Sequence, residues 1–391
     1  MNNELFKNGI EVIKTLKAQG FEAFFVGGCV RDYLLDVKFN DIDIASNART
    51  FEVRNLFENT QLIGEKYGTI QVIVNNEKIQ ITTYRQESNY SDSRHPSNVN
   101  FDTGYAKDVQ RRDFTINGLL MDENLSIIDL VGGKDDLQKK VIKTIGPANE
   151  RFKEDALRML RAFYFVSKLD FYVENETFSA INHLASTLNN ISKERILQEL
   201  IKIIKAPHYK KALSLLAKSN IRFFLSGLTK GIEYLGNLFS NENPAYDMRV
   251  DTFFTLCFCL NGSVDNYYNF SNRSLHQYQE ALIIAKEKSY LNPHILFHYG
   301  IEIPKLASWA NYILKVDELR IKEISQAFLN LPIKSIYDVA INGNTILEVT
   351  QKKMGSWVGK ILNQIIDLIL DHQLKNEKET LIKYLKEQVG N

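Results

Sequence analysis

Cysteine is scarce: Cys29, Cys257 and Cys259 are the only three in 391 residues. That is too few for a disulfide framework. Cys257 and Cys259 lie in an apolar stretch and read as core rather than as a metal site. No internal repeat and no low-complexity linker interrupts the chain, so solenoid and tethered-module architectures are not expected. No apolar run approaches about 18 residues, which excludes an obvious membrane-spanning helix. The N-terminus lacks the basic-then-apolar pattern of an export signal. The expectation is a reduced, cytoplasmic protein with no membrane role. An excess of one charge is also missing: 48 Lys and Arg face 47 Asp and Glu, a net +1. Any nucleic-acid surface must therefore be a local patch. With 44% hydrophobic and 24% charged residues, the composition is that of an ordinary soluble chain long enough for two or more domains.

Against this unexceptional background, residues 27–46 stand out. Phe24, Phe25 and Val26 read as a short buried strand, followed by Gly27 and Gly28. Paired glycines let the backbone turn sharply and approach a phosphate where a Cβ would intrude. Arg31 falls near the start of the helix expected next, placed to contact a triphosphate. Asp41 and Asp43 bracket Ile42, and residues i and i+2 of a strand share a face. Two carboxylates on one face are a ligand set for divalent metal, here Mg²⁺, in a nucleotidyl-transfer site.

Short β-rich runs continue to about Leu130: 24–26, 42–44, 69–74, 78–83, 98–101 and 126–130. Asn75-Asn76 between two of them reads as a hairpin turn. Helical periodicity is expected over 4–18, 153–168, 192–205 (with Ser192 as N-cap and Pro207 as stop), 276–289, 304–317 and 358–387.

A second cluster, Arg111-Arg112-Asp113-Phe114-Thr115-Ile116-Asn117, follows the first. Three more stretches occur in order: Asp129 with Gly132 and Gly133, residues 150–162 from Glu150 to Ala162, and residues 192–200 from Ser192 to Leu200. Together these five motifs resemble the class II tRNA nucleotidyltransferase and poly(A) polymerase superfamily. Residues 352–358, Lys-Lys-Met-Gly-Ser-Trp-Val, are similar to a segment of its shorter bacterial CCA-adding members.

The resemblance implies an α+β fold. Its polymerase-β-like nucleotidyltransferase head, with a mixed sheet, would span 1–138. An elongated all-α remainder would follow, with a neck over 139–205, a body over 206–290 and a tail over 291–391. It implies template-independent addition of C, C and A to the tRNA 3′ end from CTP and ATP, with release of pyrophosphate. Asp41 and Asp43 would be catalytic and hold Mg²⁺. Gly28, Arg31, Arg112, Asp155, Arg158 and Arg161 would contact the nucleotide. Asp155 and Arg158, at i and i+3, would be neighbours on one helix face. An Asp carboxylate accepts from the exocyclic amine of cytosine or adenine, and an Arg guanidinium donates to the adjacent ring acceptor. Uracil and guanine present a carbonyl where the amine should be. Glu154, four residues before Arg158, would hold its guanidinium.

Other positions carry weaker expectations. Asp113 is either a supporting carboxylate or the salt-bridge partner of Arg111 or Arg112. Asn117 is a candidate reader of the ribose 2′-hydroxyl. The polar stretch 85–96 reads as a solvated loop; the resemblance makes it the element that switches C to A addition, with Arg85 and Glu87 as levers. Lys202, Lys205, Lys210 and Lys211 form one basic cluster and Lys352, Lys353 and Lys360 another, both expected to face the acceptor and T arms of tRNA.

Three positions depart from the family pattern. Asp36 stands at a usual glycine, Gly118 at a usual alanine, and Tyr164 at a usual arginine. Gly64-Glu65-Lys66-Tyr67-Gly68-Thr69 follows the CCA-adding pattern rather than that of a poly(A) polymerase, the closest alternative. CC-only or A-only addition, or a non-catalytic RNA-binding protein, complete the alternatives. No His-Asp dipeptide is present, so an HD phosphohydrolase domain is not expected.

Overall fold

The computed structural model describes residues 3–39, 41–64, 68–90, 96–242 and 248–389. Its strands are β1 (Ala23–Val26), β2 (Ile42–Ser46), β3 (Thr60–Gly64), β4 (Thr69–Val74), β5 (Glu77–Thr83), β6 (Gln86–Tyr90), β7 (Pro96–Asn100), β8 (Leu120–Met121), β9 (Ile127–Ile128), β10 (Val141–Ile142) and β11 (Tyr172–Val173). Seven of them form one mixed sheet in the order β3-β4-β5-β2-β1-β8-β9. The β2–β5 pair is parallel, and its neighbours β1–β2 and β4–β5 are antiparallel. Asn75 and Asn76 both take positive φ, 49° and 64°, as a two-residue type I′ turn requires. Ile42 and Ile44 of β2 are fully buried, which fixes the strand's register and turns the alternate residue, Asp43, away from that core.

Short and polar strands escape a hydrophobic-periodicity reading. β6 and β7 pair as a separate antiparallel hairpin where a solvated loop was expected, because backbone pairing needs no apolar side chains. Ser91–His95 lie outside the described residues, as do Glu65–Tyr67. The expected helix 153–168 is two helices, Ala148–Glu154 and Leu157–Leu169. The expected helix 358–387 is also two, Trp357–Leu370 and Lys378–Val389. There His372 adopts a left-handed conformation, and the Gln373 and Leu374 N–H groups bond back to the Leu368 carbonyl, closing the first helix.

The chain divides into two compact units, Met1–Ala245 and Tyr246–Asn391, a division inside the segment read as a body. The first holds the sheet, the helix Lys7–Ala18 packed on it through Val12, Ile13 and Leu16, and helices up to Thr229–Asn241. The second is helical throughout its described residues apart from turns. Its core gathers Ile284, Tyr290, Leu296, Ile324, Ile346, Ile365 and Leu381. Cys257 is buried beside the stacked rings of Phe253, Phe254 and Phe258, as a core cysteine should be.

Candidate active site

The turn after β1 builds the floor of a cleft. Gly27 has φ 71°, a left-handed value that a Cβ would strain. That Cβ would also lie 3.6 Å from Arg112 Nη1 and 3.9 Å from Asp43 Oδ2. Gly28 then opens a short helix, Gly28–Leu34. A cleft of about 580 Å³ is lined by Gly27, Gly28, Arg31, Asp41, Asp43, Arg111, Arg112, Asp113, Asn117, Asp155, Arg158, Arg161, Tyr164, Phe165 and Lys202. Every expected catalytic and nucleotide-contacting residue is in that set, all from the first unit.

Asp41 immediately precedes β2, and Asp43 is its second residue. Burial raises the Asp43 carboxyl above the usual carboxylate range; Arg112 opposes this and the like charge of Asp41 adds to it. No salt bridge engages either carboxylate among the described residues. Two mutually repelling carboxylates open to a cleft are a hard-oxygen donor pair that suits Mg²⁺ with phosphate oxygens and water completing its shell.

The arginines of the second cluster are held from behind. Buried Asp108 accepts from Arg111 Nε at 2.8 Å and Arg112 Nη2 at 3.0 Å. Arg112 Nε is buried without a hydrogen-bond partner among the described residues, a donor available to a ligand. Asp113 pairs with neither Arg111 nor Arg112. Its Oδ2 accepts from Arg161 Nε at 2.8 Å, and its Oδ1 from Asn117 Nδ2 and the Phe114 N–H. Burial works against ionising Asp113, but Arg161 and these bonds prevail and hold its carboxyl at about 2. Arg161, expected on phosphate or base, is thus a salt-bridge partner inside the wall. Asn117 is similarly occupied: its carbonyl oxygen accepts from Arg31 Nη1 at 2.5 Å. Arg31 is itself buried, bonded to Asp32 at 2.7 Å, with its guanidinium over the Phe165 ring. Asp32 also takes Lys168 Nζ at 2.9 Å.

Asp155 sits at the junction of two helices, not on a helix face, with extended backbone (φ −142°, ψ 103°). Its Oδ1 accepts the Leu157 N–H at 3.1 Å, the local bond that makes Asp a helix-starting residue. Arg158 remains one turn on, its N–H bonded to the Asp155 carbonyl. Glu154 Oε2 takes Arg158 Nη1 at 2.7 Å as expected. The carbonyls of Arg151 and Arg111 take further guanidinium N–H groups at 3.1 and 2.7 Å. An arginine has five N–H donors, so two remain for a base. Arg195, to which the sequence reading gave no role, braces Asp155 through Nη2–Oδ2 at 3.0 Å. Tyr164 is half-buried, its ring against Phe165 and below Lys202.

Other expected features have structural duties. Asp129 accepts the N–H groups of Val131, Gly133 and Lys134 and shapes the turn before the helix Gly133–Lys139. Asp36 takes φ 55°, so the left-handed turn survives without glycine. Gly118 closes a 3₁₀ turn rather than starting a helix. A Cβ there would sit 2.8 Å from both Ile145 Cδ1 and Val131 Cγ2. The expected single basic cluster is divided: Lys202 lines the cleft, while Lys210 and Lys211 line a separate one with His208 and Lys218.

Comparison with known proteins gives a consistent result along the whole chain. The family model of the poly A polymerase head domain matches residues 23–143. That of the "Probable RNA and SrmB- binding site of polymerase A" matches 170–229, and that of tRNA nucleotidyltransferase domain 2 matches 254–385. The CCA-adding enzyme of Anoxybacillus flavithermus is 36% identical over 385 residues, 97% of this chain and 96% of that protein. The one from Bacillus cytotoxicus is 34% identical over 391 residues, 98% of each. The crystal structure of the Bacillus stearothermophilus CCA-adding enzyme in complex with CTP superposes with a TM-score of 0.82 at 30% identity, over 98% of this chain and 97% of that one.

Proposed function

This chain belongs to the CCA-adding enzyme family of tRNA nucleotidyltransferases, and on that premise we propose that it adds C, C and A in turn to the 3′ end of tRNA. CTP and ATP are the substrates and pyrophosphate leaves. The observation that carries this reading is the convergence in one cleft of Asp41 and Asp43 with Asp155 and Arg158: a phosphoryl-transfer pair and a base-reading pair within one nucleotide's reach.

Asp41 and Asp43 would hold Mg²⁺, which supplies activation of the tRNA 3′-hydroxyl and neutralises charge on the departing pyrophosphate. Gly27 and Gly28 let the backbone approach the triphosphate. Arg112 offers its unpartnered Nε–H to a phosphate oxygen. Asp155, braced by Arg195 and the Leu157 N–H, keeps an acceptor position for the exocyclic amine of cytosine or adenine. Arg158 directs its two remaining N–H donors at the adjacent ring nitrogen or the cytosine O2. A uracil or guanine would set a carbonyl against the Asp155 carboxylate. An unpaired buried polar group costs about 1–3 kcal/mol, more when charged. Protein side chains thus take the place of a template strand. Lys202, Lys205, Lys210, Lys211 and, in the second unit, Lys352, Lys353 and Lys360 are the basic residues available to tRNA phosphates. Asn117 keeps one amide N–H for a ribose hydroxyl. The body of reaction components is cytoplasmic, consistent with the absence of any membrane-length apolar helix among the described residues.

The test is purified protein with a tRNA ending before CCA, given each labelled nucleoside triphosphate singly and together. CTP alone should extend it by two residues and CTP with ATP by three. Untemplated A tracts would instead identify a poly(A) polymerase, and arrest after two residues a CC-only enzyme.

A further inference from the structure

Asp108 lies outside the pairs assigned above, yet it is the most connected carboxylate near the cleft. It is 1% exposed. Its Oδ1 accepts from Arg111 Nε at 2.8 Å and from the backbone N–H of Arg85 at 3.3 Å, and its Oδ2 accepts from Arg112 Nη2 at 3.0 Å. Each partner belongs to a different part of the machinery. Arg85 immediately precedes β6 and so roots the polar hairpin. Arg112 faces Asp43 across the cleft, and its charge is felt by that carboxyl. Arg111 carries the carbonyl that takes Arg158 Nη2 at 2.7 Å.

Resting on the reading above, we propose that Asp108 is a positioning residue for base selection: it locks the hairpin root, Arg112 and, through Arg111, the base-reading Arg158 into one arrangement. Discrimination then depends on a residue that touches no nucleotide, and displacement of the hairpin root is felt at Arg158. The physical basis is the fixed geometry of a buried carboxylate satisfied from three sides. Burial alone would raise its pKa, but Arg112 and Arg111 more than offset that and keep it low. It is therefore ionised at neutral pH and binds both guanidinium groups by charge-assisted bonds.

Asp108→Asn keeps the shape and removes the charge, turning one oxygen acceptor into a donor toward the arginines. The measurement is single-nucleotide incorporation on a tRNA ending before CCA, with CTP and UTP separately, alongside thermal melting. Asp108→Asn is expected to raise KM for CTP and to lower the CTP-to-UTP ratio of kcat/KM by about 10- to 100-fold. Arg111→Met keeps the carbonyl that holds Arg158 but cuts its link to Asp108, and it should reproduce the lost ratio. A merely structural Asp108 would lower incorporation of both nucleotides in proportion and leave their ratio at the wild-type value, which overturns the proposal. If Asp108→Asn does not fold, Arg111→Met decides alone by the same ratio. A wild-type protein that adds neither C nor A overturns the underlying reading, and this inference with it.

Discussion

The two compact units bury different chemistry. In the first, Arg31, Asp32, Asp108, Asp113, Arg158 and Glu199 are all buried. In the second, the buried polar side chains among the described residues are Thr252, Thr255, Ser308, Asn311 and Thr350, with no carboxylate, lysine or arginine. Removing a charge from water costs several kcal/mol per ion even after relaxation, and a well-packed apolar substitute is often as stable. The second unit follows that economy: Asn311, for example, is neutral and satisfied by the Ala285 carbonyl and the Tyr290 hydroxyl. The first unit does not, and its buried ions line or back one cleft. Stability does not call for them there; charge-dependent chemistry does.

The sharpest way to break this contrast is to remove the carboxylates that no salt bridge satisfies. Asp41→Ala or Asp43→Ala should abolish incorporation of both CMP and AMP, with tRNA binding nearly intact by filter retention. Folding should hold or improve, because mutual repulsion and the burial of Asp43 are relieved. Incorporation above a small fraction of wild type would remove the pair from the metal role. Next in size is the base-reading pair. With Asp155 and Arg158 both changed to alanine, the preference for CTP over UTP should fall by roughly 5- to 200-fold, the equivalent of about 1–3 kcal/mol. Catalysis should weaken without vanishing, and a wild-type preference would reassign both residues to structure. Shortening residues 86–93 should depress AMP addition by about one order of magnitude more than CMP addition. Equal losses would make the hairpin a scaffold only.

Legibility in the sequence followed local signals. Gly27, Gly28, Asp41 and Asp43 were readable because a turn, a strand and a two-residue repeat are local geometry. Asp155 and Arg158 were readable as a pair, yet the helix break between them was not. Glu-Asp-Ala-Leu carries neither Gly nor Pro, and only the Asp155 bond to the Leu157 N–H marks the restart. Asp108, Arg195 and Glu199 were missed altogether. On sequence, Asp108 with Arg111 and Arg112 is an ordinary i, i+3 and i, i+4 surface pattern. Its burial comes from long-range packing with the hairpin root, 23 residues away in sequence. Arg195 meets Asp155 across 40 residues, and no periodicity reports such a contact. The β6–β7 hairpin was hidden for the opposite reason: its strands are polar.

A smaller effect separates buried pairs by their response to acid. Asp113 is held at about 2 in the folded protein against an ordinary 3.8. A depressed carboxylate contributes stability above its unfolded pKa, and that stability is lost as pH falls through the folded value. The contribution is about 2 kcal/mol. Thermal melts of wild type should therefore fall more steeply between pH 5 and pH 2 than those of Asp113→Asn. Parallel curves would mean that the Arg161 pair does not act through this carboxyl's ionisation.

The second unit supplies the counterpart, with the opposite sign and the least effect. His294 bridges Asp367 through Nδ1 at 3.2 Å and Asp371 through Nε2 at 2.8 Å. Bonds from both ring nitrogens to carboxylates require the imidazolium form. The Asp371 bond raises the histidine's pKa, desolvation opposes it, and the charges of both aspartates add to the rise. A raised pKa gives stability that is complete below the unfolded value and lost as pH rises through the folded one. The two carboxylates are about half exposed, 54% and 47%, so solvent screening leaves only ~0.5 kcal/mol. Wild type should melt slightly above His294→Gln at pH 6, with the gap closing by pH 9 and shrinking in high salt. Incorporation of C and A at saturating tRNA should be unchanged throughout. A loss of catalysis in His294→Gln would break the division between a unit that buries charge for chemistry and one that keeps its ion pairs at the surface.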